Sequence, residues 1–145
     1  PRLRRQRQMC IRDRILEKFY SWSDLKKGNI ENVYSKDLLL TNIMIYILTK
    51  TFNSAAWIYF GRREEGGRPF PKNFKKIRVP TAIAEFPKEM LSWPPKSYVK
   101  RIFNVKRWTK MKKGGHFAAL EEPDLLVNDI RLFFTKDLKI QNGKK

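Results

Sequence analysis

An α/β arrangement is the fold class predicted by this 145-residue sequence, and three observations carry it. From residue 77 onward the pattern runs strand, helix, strand, tight loop, helix, an alternation that favours parallel strands joined by crossover helices. Ahead of it lie stretches whose apolar residues recur at helical spacing. Between the two, residues 62–76 hold two adjacent glycines, two prolines and many charges, which marks an irregular connection.

The elements follow in order. Residues 15–22 place apolar side chains at 15, 16, 19, 20 and 22 and predict a helix. Residues 23–33, with Gly28 and several Asn, Asp and Lys, read as a loop. Ser35 is a candidate N-cap for a helix over 36–49, with Asp37 in its first turn to complement the dipole. That helix is apolar on most of its circumference and is expected to be well buried. Residues 52–60 predict another helix, ending at Gly61. Residues 77–85 are β-branched and alanine-rich, bounded by Pro87, and predict a strand. Pro94 and Pro95 precede a short helix over 96–103, and the alternation in 105–111 predicts a second strand. A final amphipathic helix is expected over 122–134, with Leu125, Leu126, Ile130, Phe133 and Phe134 on its inner side.

Hydrophobic residues make up 41% of the chain, a globular composition rather than a disordered one. The longest apolar stretch, 38–48, is interrupted by Thr41, Asn42 and Tyr46 and is too short to span a bilayer. No charged start followed by an apolar core and a cleavage site is visible, so no secretory signal is read. A formal charge of +18 would ordinarily point to nucleic acid or a membrane surface. Its distribution argues otherwise. Residues 1–14 carry Arg2, Arg4, Arg5, Arg7, Arg12 and Arg14 with no lysine, while the rest is dominated by lysines scattered through loops and amphipathic helices. Those lysines read as solvated faces, so a basic nucleic-acid module is the weaker alternative.

The break near residue 14 has its own explanation. Residues 4–13, RRQRQMCIRD, resemble a translated transposon-end sequencing adapter, matching CGT CGG CAG CGT CAG ATG TGT ATA AGA GAC codon for codon. Residues 1–14 are therefore expected to be a non-native tail and are set aside from fold reasoning, as an expression scar would be. The sole cysteine, Cys10, lies within them, which leaves no argument for a disulfide, a thiol metal site or a cysteine nucleophile.

The sharpest chemical feature is KGGHFAALEEP, residues 113–123. Glycines ahead of a histidine let the backbone turn tightly and expose the ring. Histidine exchanges protons near neutral pH, as a general base must, although a lone histidine is also commonly structural.

Here a family resemblance enters. GGHFAALEEPDLLVNDIRLFF resembles the histidine loop and last helix of epoxide hydrolases of the microsomal type, and FPKEML resembles the segment that supplies the orienting acid. ILEKFYSWSD, DLLLTNIMIY and TFNSAAWIYF resemble successive parts of that family's lid. The resemblance spans nearly all of 15–134. It implies the C-terminal part of an α/β-hydrolase fold, the last strands and helices, preceded by part of a helical lid. The implied divisions are 15–76 for the lid portion and connection, and 77–145 for the core portion. By position it makes His116 the base that activates water, Glu89 the carboxylate that holds its tautomer, and Tyr59 a lid phenol that activates the oxirane oxygen. Glu85 is the rival acid; it falls inside the first strand, whereas Glu89 falls beyond its C-terminal end, where ligand sites gather in such sheets. Apart from the resemblance, either glutamate reads as a solvated charge. Tyr59 reads equally as a core aromatic, and Tyr46 reads as core. Phe86, Trp93 and Phe117 read as pocket lining or as packing. Two lid positions depart from the family's pattern: Lys50 stands where a glycine is usual and Ala55 where a serine is.

The family's aspartate nucleophile and its oxyanion-hole loop precede the lid and are not among these residues. The resemblance thus implies hydrolysis of epoxides to vicinal diols by the parent enzyme, with the fragment inactive alone. The same histidine and acid would equally serve a dehalogenase or an esterase. No cofactor and no metal are expected, and the implied partner is a small-molecule epoxide, with no nucleic acid and no membrane; a cytoplasmic location is expected.

Overall fold

The computed structural model describes residues 2–25, 28–66 and 74–138, with side chains described from residue 8 onward. The chain divides into two units, one comprising residues 1–21 and 25–72, the other 22–24 and 73–145.

The first unit is helical. Helix α1 runs Arg2–Trp22, so the expected helix over 15–22 is the C-terminal part of a longer one. The stretch set aside as non-native is thus helical here. Arginine, glutamine, leucine and methionine are good helix formers, and no glycine or proline interrupts them. Among residues 8–14 only Ile11 is partly covered, so this part of α1 contributes little to a core. Further along, buried Phe19 meets buried Tyr34 edge-on, with ring centroids 5.1 Å apart. The region read as a loop over 23–33 contains a 3₁₀ turn, Ile30–Asn32, started by the Asn29 side chain accepting from the Glu31 N–H.

Helix α2 spans Lys36–Thr49 and starts as expected, with Ser35 Oγ accepting from the Leu38 N–H at 3.2 Å. The expectation that it is well buried fails. Only Leu39 and Ile43 are buried, while Leu40, Met44, Ile45 and Leu48 stand exposed. An apolar circumference states what a helix can bury; the number of neighbours states what it does. α2 ends on Lys50 in the left-handed region at φ 57°, the only non-glycine residue with positive φ among those described. Helix α3, Phe52–Glu64, runs through Gly61 rather than stopping at it. Glycine inside an exposed helix costs about 1 kcal/mol relative to alanine, and Arg62 and Arg63 in the last turn complement the dipole. Residues 62–64 of the expected irregular connection are therefore helical, and 67–73 lie outside the described residues.

In the second unit, β1 (Ile77–Glu85) and β2 (Phe103–Lys110) pair in parallel, as the alternation predicts. Helix α4, Lys96–Ile102, lies in the crossover between them and buries Val99 and Ile102. β2 begins two residues earlier than expected, and α4 ends one residue sooner to allow it. Register shifts between Ile77 and Pro80 and between Thr81 and Ala82 bracket Pro80, whose missing N–H cannot serve the ladder.

The final helix differs from the expected single run over 122–134. A short α5 (Ala118–Glu121) is followed by α6 (Pro123–Leu132), and a π-turn, Phe133–Asp137, closes the segment. Pro123 at the first position of α6 enforces the restart. Ile130 and Phe134, expected on the inner side, are exposed, whereas Phe133 and Asp129 are buried. Asp129 Oδ1 accepts from Arg107 Nε and from Thr109 Oγ1, both at 2.7 Å. Arg107 Nη1 reaches Asp137 at 3.1 Å. The hydrogen bond to Asp129, and then the one to Asp137, hold the Arg107 guanidinium above its ordinary pKa. This network ties β2 to α6 and to the turn after it.

Candidate active site

Two segments converge just beyond the C-terminal ends of β1 and β2. After Glu85 the chain buries Phe86 and turns through Pro87; after Lys110 it turns at Gly114 and Gly115. Lys88 and Gly115 form a parallel bridge, and the Lys88 N–H donates to the Gly114 carbonyl at 3.1 Å. The bridge extends the pairing of the two strands past their ends. It also sets the next residue on each segment, Glu89 and His116, side by side.

Both glycines are required by their surroundings. Gly114 has φ 105°, and a Cβ there would lie 2.8 Å from Phe86 Cδ1. At Gly115 a Cβ would lie 2.6 Å from the Trp22 carbonyl oxygen. The Gly-Gly pair therefore lets the loop pass against the 22–24 segment, and the His116 N–H donates to that same Trp22 carbonyl at 2.9 Å.

His116 Nδ1 lies 2.7 Å from Glu89 Oε1. A carboxylate oxygen only accepts, so a neutral imidazole held there carries its proton on Nδ1 and leaves Nε2 as the basic nitrogen. The same Glu89 oxygen accepts from the Met90 N–H at 2.8 Å, which orients it. The histidine side chain is 38% exposed and the glutamate 23%, so the pair sits at the surface with its carboxylate the better covered. Aromatic edges frame the ring: Trp22 at 5.0 Å and Phe117 at 5.2 Å between centroids, both near perpendicular. Trp22 and Phe117 stack on each other at 6.4 Å.

Glu85, the rival acid, is engaged elsewhere: it accepts from Trp108 Nε1 across the sheet. The structure thus brings His116 together with Glu89 and not with Glu85. Phe86 packs under Gly114, and Trp93 donates to the Phe86 carbonyl at 3.0 Å and meets Trp108 edge-on. Of the three aromatics considered for pocket lining, only Phe117 flanks the histidine. Tyr46 meets Phe52 edge-on, as a packing residue does. Tyr59 lies on α3 in the other unit, 62% exposed, and so is not a core aromatic among the described residues. No group of His, Cys, Asp and Glu suited to a metal ion occurs among the described residues. Nor is any described helix long and apolar enough to cross a membrane.

Sequence reasoning missed three participants. In the sequence Trp22 reads only as an apolar helix residue, and Asp24 and Glu121 read as ordinary charges. Asp24 Oδ2 accepts from the Gly114 N–H at 3.0 Å, and Glu121 accepts from the Gly115 and Phe117 N–H groups at 2.9 and 2.8 Å. The one local signal was Glu121 itself, four residues after Phe117, close to the spacing at which an acid reaches back to a helix start.

No family model matches the chain. Epoxide hydrolase 1 of Sus scrofa is 40% identical over 124 residues, which cover 82% of this chain and 27% of that protein. A putative epoxide hydrolase of Stigmatella aurantiaca is 37% identical over 124 residues, with 83% and 26% covered. The chain thus spans about a quarter of the length of the curated relatives it matches. Among solved structures, juvenile hormone epoxide hydrolase from the silkworm Bombyx mori superposes with a TM-score of 0.72 at 25% identity, covering 88% of this chain and 33% of that one. Aspergillus niger epoxide hydrolase gives 0.67 at 29% identity, with 90% and 30% covered.

Proposed function

From the premise that this chain is homologous over most of its length to part of the α/β-hydrolase-fold epoxide hydrolases, we propose that it supplies the water-activating half of an epoxide hydrolase. The observation that carries the reading is the 2.7 Å contact between His116 Nδ1 and Glu89 Oε1 at the C-terminal ends of two parallel strands. The reaction converts an epoxide to a vicinal diol. An enzyme carboxylate opens the ring and forms an ester, which water then hydrolyses. In the second step His116 Nε2 takes a proton from the attacking water, and Glu89 stabilises the imidazolium that results. The family resemblance implies a nucleophile and oxyanion donors outside these residues, so the 145-residue chain alone is expected to turn over no epoxide. Tyr59 is the proposed donor to the oxirane oxygen, developing as alkoxide when the ring opens.

The test is a chimera. Residues 15–138 replace the matching stretch of a related epoxide hydrolase, and diol formation from a small aryl epoxide is followed. The chimera is expected to turn over. His116→Ala and Glu89→Gln should still form the ester in a single-turnover burst but lose its hydrolysis, by a factor of about 10³ or more. Glu85→Gln should retain hydrolysis. An inactive but folded chimera, or wild-type turnover in Glu89→Gln, would sink the assignment.

A further inference from the structure

We infer that Glu121 is a positioning residue for His116, a carboxylate that clamps the backbone on both sides of the histidine. The inference rests on the reading of His116 as the base. Four consecutive N–H groups of the loop are engaged. Gly114 donates to Asp24 Oδ2 at 3.0 Å, Gly115 to Glu121 Oε2 at 2.9 Å, His116 to the Trp22 carbonyl at 2.9 Å, and Phe117 to Glu121 Oε1 at 2.8 Å. Glu121 thus spans His116, holding the residue before it with one oxygen and the residue after it with the other. Glu121 Oε2 also accepts from the Asp24 N–H at 2.7 Å, which fastens the 22–24 segment to the same point.

A helix cap would account for only one of these bonds. Reaching back to Phe117 satisfies an unpaired N–H at the start of α5, much as a capping box does. The bonds to Gly115 and Asp24 lie outside that helix and have no such purpose. Their effect is on the histidine. With the backbone held at 115, 116 and 117, the imidazole keeps little freedom beyond its own side-chain rotations. The Lys88–Gly115 bridge sets its distance from Glu89. Bonds to a charged acceptor are stronger than neutral ones, so one carboxylate taking three of them is a stiff anchor. Trp22, held by its carbonyl, is also the residue whose ring edge frames the imidazole at 5.0 Å. Loosening Glu121 therefore frees the ring and one wall of its surroundings together.

His116 is the only histidine in the chain, so its ring nitrogens give one unambiguous pair of signals in 15N-histidine-labelled protein. The measurement is the ratio of Nδ1–H to Nε2–H tautomer in the full 145-residue chain, at a pH where the imidazole is neutral. Wild type should show predominantly Nδ1–H. Glu121→Gln loses the charge and at least one of the three acceptor contacts, because its amide NH2 cannot accept where Oε1 or Oε2 did. It should cut the tautomer ratio by about tenfold, the worth of roughly one charge-assisted hydrogen bond, while the far-UV spectrum and the exchange protection of Ala82 and Trp108 persist. Glu121→Asp keeps the charge but is one methylene too short to span both sides, and should give an intermediate ratio; it decides the matter if Glu121→Gln does not fold. Asp124→Asn, one turn of chain away on α6, should leave the ratio unchanged. A wild-type ratio in a folded Glu121→Gln overturns the positioning role and leaves the base assignment standing. Predominant Nε2–H in wild type overturns both.

Discussion

At the scale of single residues, the site depends on where a side chain is missing as much as on where one is present. Gly115 passes so close to the 22–24 segment that an alanine methyl would sit 2.6 Å from the Trp22 oxygen, and backbone cannot step aside cheaply. Gly115→Ala should therefore destabilise by about 2 kcal/mol, in the range of core overpacking, and should separate His116 from Glu89. Chemical denaturation and the histidine tautomer ratio would report the two effects independently. Lys50 presents the opposite case. It takes the left-handed conformation at the end of α2. A lysine there carries a steric cost that glycine does not. Lys50→Gly should stabilise the helical unit by about 1 kcal/mol, read as a higher urea midpoint with unchanged slope. The Gly-Gly-His turn was legible in the sequence because glycine pairs have few other uses. Which contacts demanded the glycines was not, since Trp22 lies more than ninety positions away in the chain.

At the scale of elements, the strands and helix starts were readable and the inner faces were not. Ser35, β1 and the parallel pairing follow local grammar: a cap residue, a β-branched run, and a helix between two strands. The face of α6 turned inward breaks that grammar, because Asp129 is buried while Ile130 is exposed. The reason is Arg107 on β2, which brings a charge that Asp129 must meet. Removing one partner of such a pair leaves the other buried and unpaired. Arg107→Ala should thus cost about 3 kcal/mol, measured as a fall in unfolding free energy. Since the guanidinium is pushed above its already high ordinary pKa, its contribution is fully present below the unfolded-state pKa. It is lost only in strong alkali, so this cost should be the same across the neutral range.

At the scale of the whole molecule, the helical unit leaves large apolar side chains uncovered. Leu40, Ile45 and Leu48 on α2, and Trp57, Ile58 and Phe60 on α3, are more exposed than covered. Surfaces of this kind drive association. The isolated chain should self-associate at micromolar concentration, seen as rising light scattering. A Leu40→Lys/Leu48→Lys variant should scatter less with an unchanged far-UV spectrum, because neither side chain belongs to the buried set of α2. Wild-type protein that stays monodisperse would count against this reading of the exposed faces.

The Gly-Gly-His loop and the strand–helix–strand order could be named from the residues alone, because periodicity, propensity and turn chemistry are local properties of a chain; the two candidate acids entered with the family resemblance. The choice between Glu89 and Glu85 could be argued from position along the strand, yet it became a contact only when Lys88 paired with Gly115 and Trp108 took Glu85. Asp24 carried no signal that would join it to the loop, and Glu121 only its spacing from Phe117. Their hydrogen bonds link residues as far as 97 positions apart, and such pairings arise when packing brings distant backbone together. Local sequence sets what each segment is able to form; long-range contact decides which carboxylate meets which N–H.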